Sequence, residues 1–280
     1  MSHPGAYTQK IKRYLRQNVT HSLHKSVRKK IKRRRIITHY PGQIVQMDLI
    51  DMQKYYTINS HYKYILVVLD LFSKQLWMEP LKSKEGHETA QAIRRIFHKM
   101  TFPVQTVIFD EGKEFLNQHV NLLFAQFGIH SYSIHTKTKA GAVERVNKTI
   151  KNMIWKIFTE TKKNRWIDKL EEIQRNYNST YHRTIRMAPK EVTWENRKKV
   201  FKTMFPEIRD KINCRLKVGD KVRVALNKEL FEKGYKVNWS EDIFTIVNSF
   251  QRGGVCWYRI KDKDNRIYPK GKYFFQLNKV

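Results

Sequence analysis

Acidic residues are scarce in this chain: its 280 residues carry 25 Asp and Glu against 56 Lys and Arg, a formal charge of +31. Cysteine is scarcer still. Cys214 and Cys256 are too few for a disulfide framework and form no pair with zinc-ligand spacing, so the sequence predicts a reducing compartment. Long hydrophobic runs are missing, and the cleanest stretch, Ile65 to Leu69, is far short of a membrane span. The opening Met-Ser-His-Pro-Gly-Ala-Tyr reaches Lys10, Lys12 and Arg13 without an apolar segment, which argues against a secretory signal. What is present suffices to fold: 40% of residues are hydrophobic and 12% aromatic, too many for a disordered polycation. A folded, strongly basic chain has a polyanion as its expected partner.

The positive charge is unevenly spread. Residues 1–37 hold 12 basic residues and no acid, residues 38–196 hold 23 against 16, and residues 197–280 hold 21 against 9. Net charges of +12, +7 and +12 suggest a specialised core between two flanks that grip an anion. The first flank contains the run from Lys25 to Arg35, ending in Arg33, Arg34 and Arg35. Such a run is commonly a solvated linker; a nuclear-import signal, which would place the chain in the nucleus, and a phosphate-tracking arm are the sharper readings. His21 and His24 lie in the same flank, but no Cys pair follows, so no zinc is expected there.

Residue patterning predicts three strands at Gln43–Met52, Tyr62–Phe72 and Gln75–Met78, an antiparallel meander because the gaps are short. A helix over Glu85–Met100, a strand over Val104–Phe109, a helix over Phe115–Phe127 and a strand over Ile129–Ile134 follow. Helices over Ala142–Thr161 and Trp166–Tyr181 come next, and Pro189 opens a short last one. That order predicts an α/β fold with a mixed five-stranded sheet. After about Lys198 short alternating stretches separated by Gly, Asn and Asp read as a small β-barrel. The expected organisation is a basic arm over 1–37, a core over 38–196, a linker over 197–213 and a barrel over 214–280. Trp239, Trp257 and Tyr258 read as barrel core.

Three acids sit where a working site needs them. Asp48 lies mid-strand among apolar neighbours, and Asp110 closes a strand at the carboxyl end, where sheet ligands collect. Glu144 opens the helix that begins at Ala142, where the helix dipole alone would favour a carboxylate. In that helix Val143, Val146, Ile150, Ile154 and Ile157 share an inward face, while Glu144, Lys148 and Lys151 share another. The second stripe is either a solvated ion-pair row or a metal-binding carboxylate with two cations placed to hold a phosphodiester. Combined with Asp48 and Asp110, the second reading is the stronger. Carboxylate-only ligation suits two hard cations, Mg²⁺ or Mn²⁺, roughly 3.5–4 Å apart, in an in-line phosphoryl displacement. Asp70 and Asp51, also near the sheet, read as structural or solvated.

At these residues the sequence resembles a retroviral-type integrase core, one of the D,D-E polynucleotidyl transferases. The matching elements are I-V-Q-M-D-L (Ile44–Leu49), V-I-F-D-E-G-K-E-F (Val107–Phe115) and A-V-E-R-V-N-K-T-I-K (Ala142–Lys151). Between Asp110 and Glu144 lie 33 residues, close to the family's usual spacing. Trp166–Leu170, Tyr177-Asn178, His182 and Ala188-Pro189 match further. The likeness extends towards integrases of Maverick/Polinton self-synthesising transposons through His24–Arg35, Phe231–Phe244 and the last barrel strands. The family often has Asn after its second Asp, where this chain has Glu111, which is either a fourth ligand or solvated.

The resemblance implies an RNase H-like core followed by an SH3-like barrel. It implies that Asp48, Asp110 and Glu144 are catalytic and bind two Mg²⁺ or Mn²⁺, and that Lys148 and Lys151, with Arg33 to Arg35, contact DNA. The implied activity is metal-dependent trimming of an element's 3′ ends and their transfer into target DNA, by a homo-oligomer (dimer or tetramer) that needs no membrane. The alternative is an inactive or domesticated copy that only binds DNA.

Overall fold

The computed structural model describes Tyr14 and residues 18–27, 36–110, 112–134, 141–206, 213–226, 236–252 and 255–280. The chain divides into two compact units: Thr38–Pro206, and a second built from both chain ends, Met1–Ile37 with Glu207–Val280. Helix α1 (Val19–His24) belongs to the second unit.

The first unit runs β1 (Ile44–Asp51), β2 (Tyr64–Asp70), β3 (Leu76–Leu81), α2 (Gly86–Lys99), β4 (Thr106–Asp110), α3 (Gln118–Gln126), β5 (His130–Ile134), α4 (Gly141–Thr161), α5 (Leu170–Ser179) and α6 (Arg197–Met204). Its sheet has the order β3-β2-β1-β4-β5. The first three strands form the expected antiparallel meander, and β4 and β5 run parallel to β1. Helices cover both faces, so β2 is buried at every position and alternation sorts its residues between two cores. Leu66 and Val68 join Ala92, Ile93, Ile96 and Phe97 of α2 and Phe124 of α3. Ile65, Val67 and Leu69 join Val143, Val146, Ile150, Ile154 and Phe158 of α4. Each of these branched side chains contributes about 1.5–3 kcal/mol by leaving water. Strand β3 closes one edge, where α5 caps exposed peptide groups: Leu76 N donates to Asn178 Oδ1 at 2.8 Å and Asn178 Nδ2 donates back to Leu76 O at 2.8 Å.

The stretch expected as linker begins with helix. In α6 Val200 and Met204 are buried, and the Phe201 ring stacks on His39 with centroids 4.8 Å apart. The unit therefore ends at Pro206 rather than at 196. Four basic residues, Arg197, Lys198, Lys199 and Lys202, give the stretch a linker's composition while the apolar spacing of i and i+4 is what the fold uses.

In the turn between β2 and β3, the buried Asp70 carboxylate accepts from Ser73 N (2.8 Å), Ser73 Oγ (2.6 Å) and Gly42 N (3.2 Å). Burial pushes its pKa up while these bonds oppose the shift. Lys74 adopts a left-handed φ of 64° and donates to Leu71 O at 2.6 Å. Burial lowers the Lys74 pKa to about 8; Asp70 opposes this and Arg145 of α4 adds to it.

The second unit is a five-stranded antiparallel sheet: β6 (Lys221–Val224), β7 (Phe244–Arg252), β8 (Val255–Lys261), β9 (Lys272–Tyr273) and β10 (Leu277–Lys279), in the order β10-β6-β7-β8-β9. Val222, Phe244, Ile246, Tyr258, Ile260 and Leu277 make its core; Trp239 is also buried, and Trp257 is half-buried. The strand expected at Arg266–Pro269 is reduced to one bridge, Lys261 to Ile267. Cys214 and Cys256 are joined in a disulfide with their Cα atoms 5.6 Å apart, which corrects the expectation of unpaired thiols and removes the argument for a reducing compartment. Their separation of 42 residues carries no local signature; β8 and the segment leading into β6 bring them together.

The N-terminal flank is not wholly a free arm. Trp239 Nε1 donates to Lys25 O (2.6 Å), Asn238 N to Leu23 O (2.8 Å), Asn238 Nδ2 to His24 O (3.0 Å) and Asn278 Nδ2 to Ser22 O (3.3 Å). The buried Arg223 donates from Nε to Ser22 Oγ at 3.1 Å. These bonds satisfy the last carbonyls of α1 and the chain beyond it, so the segment is built into the sheet unit. A chain beginning at Ile36 is accordingly expected to lose about 3 kcal/mol or more of stability in its C-terminal unit relative to one beginning at Asn18, read from chemical denaturation. A second expectation concerns pH. The folded protein holds fewer protons than the unfolded chain between about pH 8 and the ordinary lysine range, so Lys74 makes stability rise with pH across that window. Urea unfolding at pH 8 and pH 10 should show this rise in the wild type and a smaller one in Lys74→Met.

Candidate active site and basic surfaces

Strands β1 and β4 pair in parallel from Ile44↔Thr106 to Met47↔Phe109. Val45, Met47, Val107 and Phe109 all point into the core beneath α2 and α3. Asp48 and Asp110, the next residue on each strand, therefore turn to the opposite face, the one covered by α4. Both acids are half-buried.

Helix α4 is pinned to that face at two successive same-side positions of β1. Val143 N donates to Gln46 Oε1 at 3.2 Å, and Asn147 Nδ2 donates to Asp48 Oδ2 at 2.6 Å. The other Asp48 oxygen accepts from Leu49 N at 2.8 Å. Glu144 lies on the first turn of α4 between those two anchor residues and is exposed. Lys148 and Lys151 continue its face, exposed as their spacing predicts. The three acids thus sit on two paired strands, Asp48 in mid-strand and Asp110 at a strand end, and on a helix bonded to Asp48. Among the described residues no group of three His, Cys, Asp or Glu side chains is gathered closely enough to hold a metal. Glu111, adjoining Asp110, and Arg33, Arg34 and Arg35 lie outside the described residues.

The donor set nevertheless fits a hard cation. It is all carboxylate, and beside it the buried Asn147 Oδ1 has no donor among the described residues. The amide orientation is fixed because its NH₂ serves Asp48, so a neutral acceptor faces the site; water carried by a hydrated Mg²⁺ is a donor for it. Asn147 and Gln46 are the residues that motif reading passed over. Their signals were available: Asn147 is i+3 from Glu144, and Gln46 is two residues before Asp48 on the same strand face.

A histidine lies within electrostatic reach of this helix. His182 is half-buried, and its pKa is lowered by burial and then by the nearby Lys74 and Arg145 charges. The neutral imidazole accepts from Thr184 N at 3.3 Å through Nδ1. By sequence the sheet unit built from both chain ends carries 29 basic against 9 acidic residues, and Thr38–Pro206 carries 27 against 16. The two positive flanks of the sequence are largely one unit of +20, and the core unit carries +11. Among the described residues no helix is long and apolar enough to cross a membrane.

Comparison with known proteins starts from the same region: residues 38–138 match the family model described as the integrase core domain. A transposon-derived protein of Caenorhabditis elegans is 32% identical over 193 residues, 69% of this chain and 65% of that protein. The Gypsy retrotransposon integrase-like protein 1 of Macaca fascicularis is 30% identical over 150 residues, 53% of this chain and 28% of that protein. The chain thus matches less than two thirds of the length of these relatives. A chain in the cryo-EM structure of the simian T-cell lymphotropic virus intasome in complex with PP2A regulatory subunit B56 gamma superposes with a TM-score of 0.66, covering 98% of this chain and 91% of that one at 12% identity. That likeness concerns the fold. Motif order and sheet topology thus concern the same stretch, residues 38–138, whose sequence is similar to the integrase core domain.

Proposed function

We propose that this protein is the integrase of a transposable element, related to those of Maverick/Polinton transposons, and that it trims the element's 3′ ends and joins them to target DNA. The observation that carries this reading is the register of β1 and β4, which puts Asp48 and Asp110 side by side on the face where α4 presents Glu144. Two divalent ions held by these three carboxylates would supply Lewis-acid stabilisation of the attacking and leaving oxygens.

The chain's own residues do the rest. Asn147 orients Asp48 through its amide, and Gln46 holds the first turn of α4 against β1, so that Glu144 keeps a fixed distance from both aspartates. Lys148 and Lys151, one and two turns along the same helix face, hold the phosphodiester of an element end. In the first step water attacks phosphorus, the 3′ oxygen on the retained side leaves as a hydroxyl, and a short fragment carrying the phosphate departs. In the second step that 3′-hydroxyl attacks a target phosphodiester. One P–O bond forms as one breaks, so strand transfer needs no external energy source. The strongly basic second unit, which we read as an SH3-like barrel, grips DNA through backbone phosphates. We further place the protein in the nucleus as a homo-oligomer, since two DNA ends and a target must meet.

With Mn²⁺ or Mg²⁺, the protein is expected to join terminal-repeat oligonucleotides to plasmid DNA, and Asp110→Asn to reduce this to background. Equal activity of wild type and Asp110→Asn would sink the catalytic assignment. Asn147→Ala is expected to fold normally and to lower joining about 10–100-fold, because an outer partner of a ligand is removed while the ligands remain.

A further inference from the structure

We infer that a groove on the Thr38–Pro206 unit, lined by Arg186, Lys199, Lys202, Thr203 and Pro206, is a second seat for the phosphate backbone of duplex DNA, with a lining that includes none of the three carboxylates. The inference rests on the DNA-handling reading above but not on catalysis. The groove has a volume of about 440 Å³ and is open to solvent. It falls mostly on α6, in the stretch whose composition reads as linker.

Both walls are held in place by buried apolar anchors. Lys199, Lys202 and Thr203 are spaced i, i+3 and i+4 on one side of α6, while Val200 and Met204 bury the other. Thr203 Oγ1 donates to Lys199 O at 3.0 Å, so its hydroxyl oxygen keeps acceptor capacity but gives no charge to the groove. Opposite, the turn from His182 to Met187 is closed by a bridge between its ends and by Arg186 N donating to His182 O at 2.9 Å. Ile185 is buried, and Arg186, at a left-handed φ of 54°, lines the groove with the α6 residues. Three exposed cations thus converge on one cavity from two fixed backbones.

None of the three forms an ion pair among the described residues. From Thr180 to Pro206 the sequence has seven Lys and Arg and two acids. Glu191 accepts from Ala188 N at 2.9 Å, and Glu195 is engaged by the Thr193 side chain, so both acids are committed to local caps. Converging cations without a counter-charge repel one another, and an anion relieves that repulsion. The positive field continues beyond the groove: the same turn carries Arg183, and its neutral His182 is close enough to Lys74 and to Arg145 of α4 to feel their charge. A positive surface extended in this way matches a linear polyanion better than a single small phosphate.

The test uses the full-length protein and a labelled duplex of arbitrary sequence, with affinity measured across a salt series. Lys199→Gln/Lys202→Gln leaves the buried face of α6 intact and should melt like wild type, bind about tenfold more weakly at low salt, and flatten the slope of log affinity against log salt by about 2. Lys198→Gln, on the same helix outside the groove lining, should change the slope by less than half of that. Wild-type affinity and slope in the double variant would overturn the inference, as would a Lys198→Gln effect equal to that of the double variant. Inorganic phosphate compared with chloride at equal ionic strength should not compete specifically; a phosphate-specific loss abolished by the double variant would give the groove to a small anion instead. Asp110→Asn measured alongside separates the two readings: it should bind DNA as wild type does while failing to join strands, and full joining by Asp110→Asn would remove the catalytic assignment without touching the groove result.

Discussion

The parallel pairing of β1 with β4 is the constraint on which the candidate site depends. Because side chains alternate along a strand, a register shifted by one residue would send Asp48 or Asp110 into the apolar core under α2 and α3. The register is defended by what alternates with the acids: Val45 and Met47 on β1 and Val107 and Phe109 on β4 are all essentially inaccessible to water. The apolar side of the sheet thus fixes its polar side, and the geometry of the candidate site is a consequence of packing on the opposite face.

Helix α4 adds the third acid by a different device. Its apolar stripe fixes its rotation, but a stripe alone permits sliding along the sheet. The two amide contacts, Val143 N to Gln46 and Asn147 to Asp48, set the axial position. Both are neutral or singly charged hydrogen bonds, each strong enough to favour one axial position. An Arg in place of Asn147 would hold Asp48 more firmly but would bring the positive charge that the proposed metal ions would otherwise supply.

Much of this was legible in the sequence. The β2 run Tyr64–Asp70 and the 3.6-residue stripe of α4 announce their elements because one interaction, burial, dominates each. The three acids were legible for the same reason, being charges placed against apolar runs. What escaped was whatever depends on distant parts of the chain. Cys214 and Cys256 meet only through sheet pairing, and α1 is recognised by Trp239 and Asn278 more than 200 residues away. Helix α6 escaped because its charged face outnumbers its buried one. Asn147 escaped because a neutral amide carries no signal until its partner is known.

The scarcity of acid gives these features a common cause. With few carboxylates available, those present are spent where position matters: Glu79 clamps Arg95 and Lys99 of α2, Asp220 holds Lys279 of the last strand, and Asp70 closes the turn before Lys74. In the proposed role, Asp48, Asp110 and Glu144 would hold metal ions rather than serve the surface. The remaining cations must either be tied to neutral acceptors, as Arg223 is to Ser22 Oγ and to the carbonyls of Ser240 and Glu241, or stand exposed without an ion pair among the described residues, as Lys199 and Lys202 do. A self-repelling surface of this kind is tolerated when a partner supplies the missing negative charge, and a polyanion supplies it at regular intervals along its length.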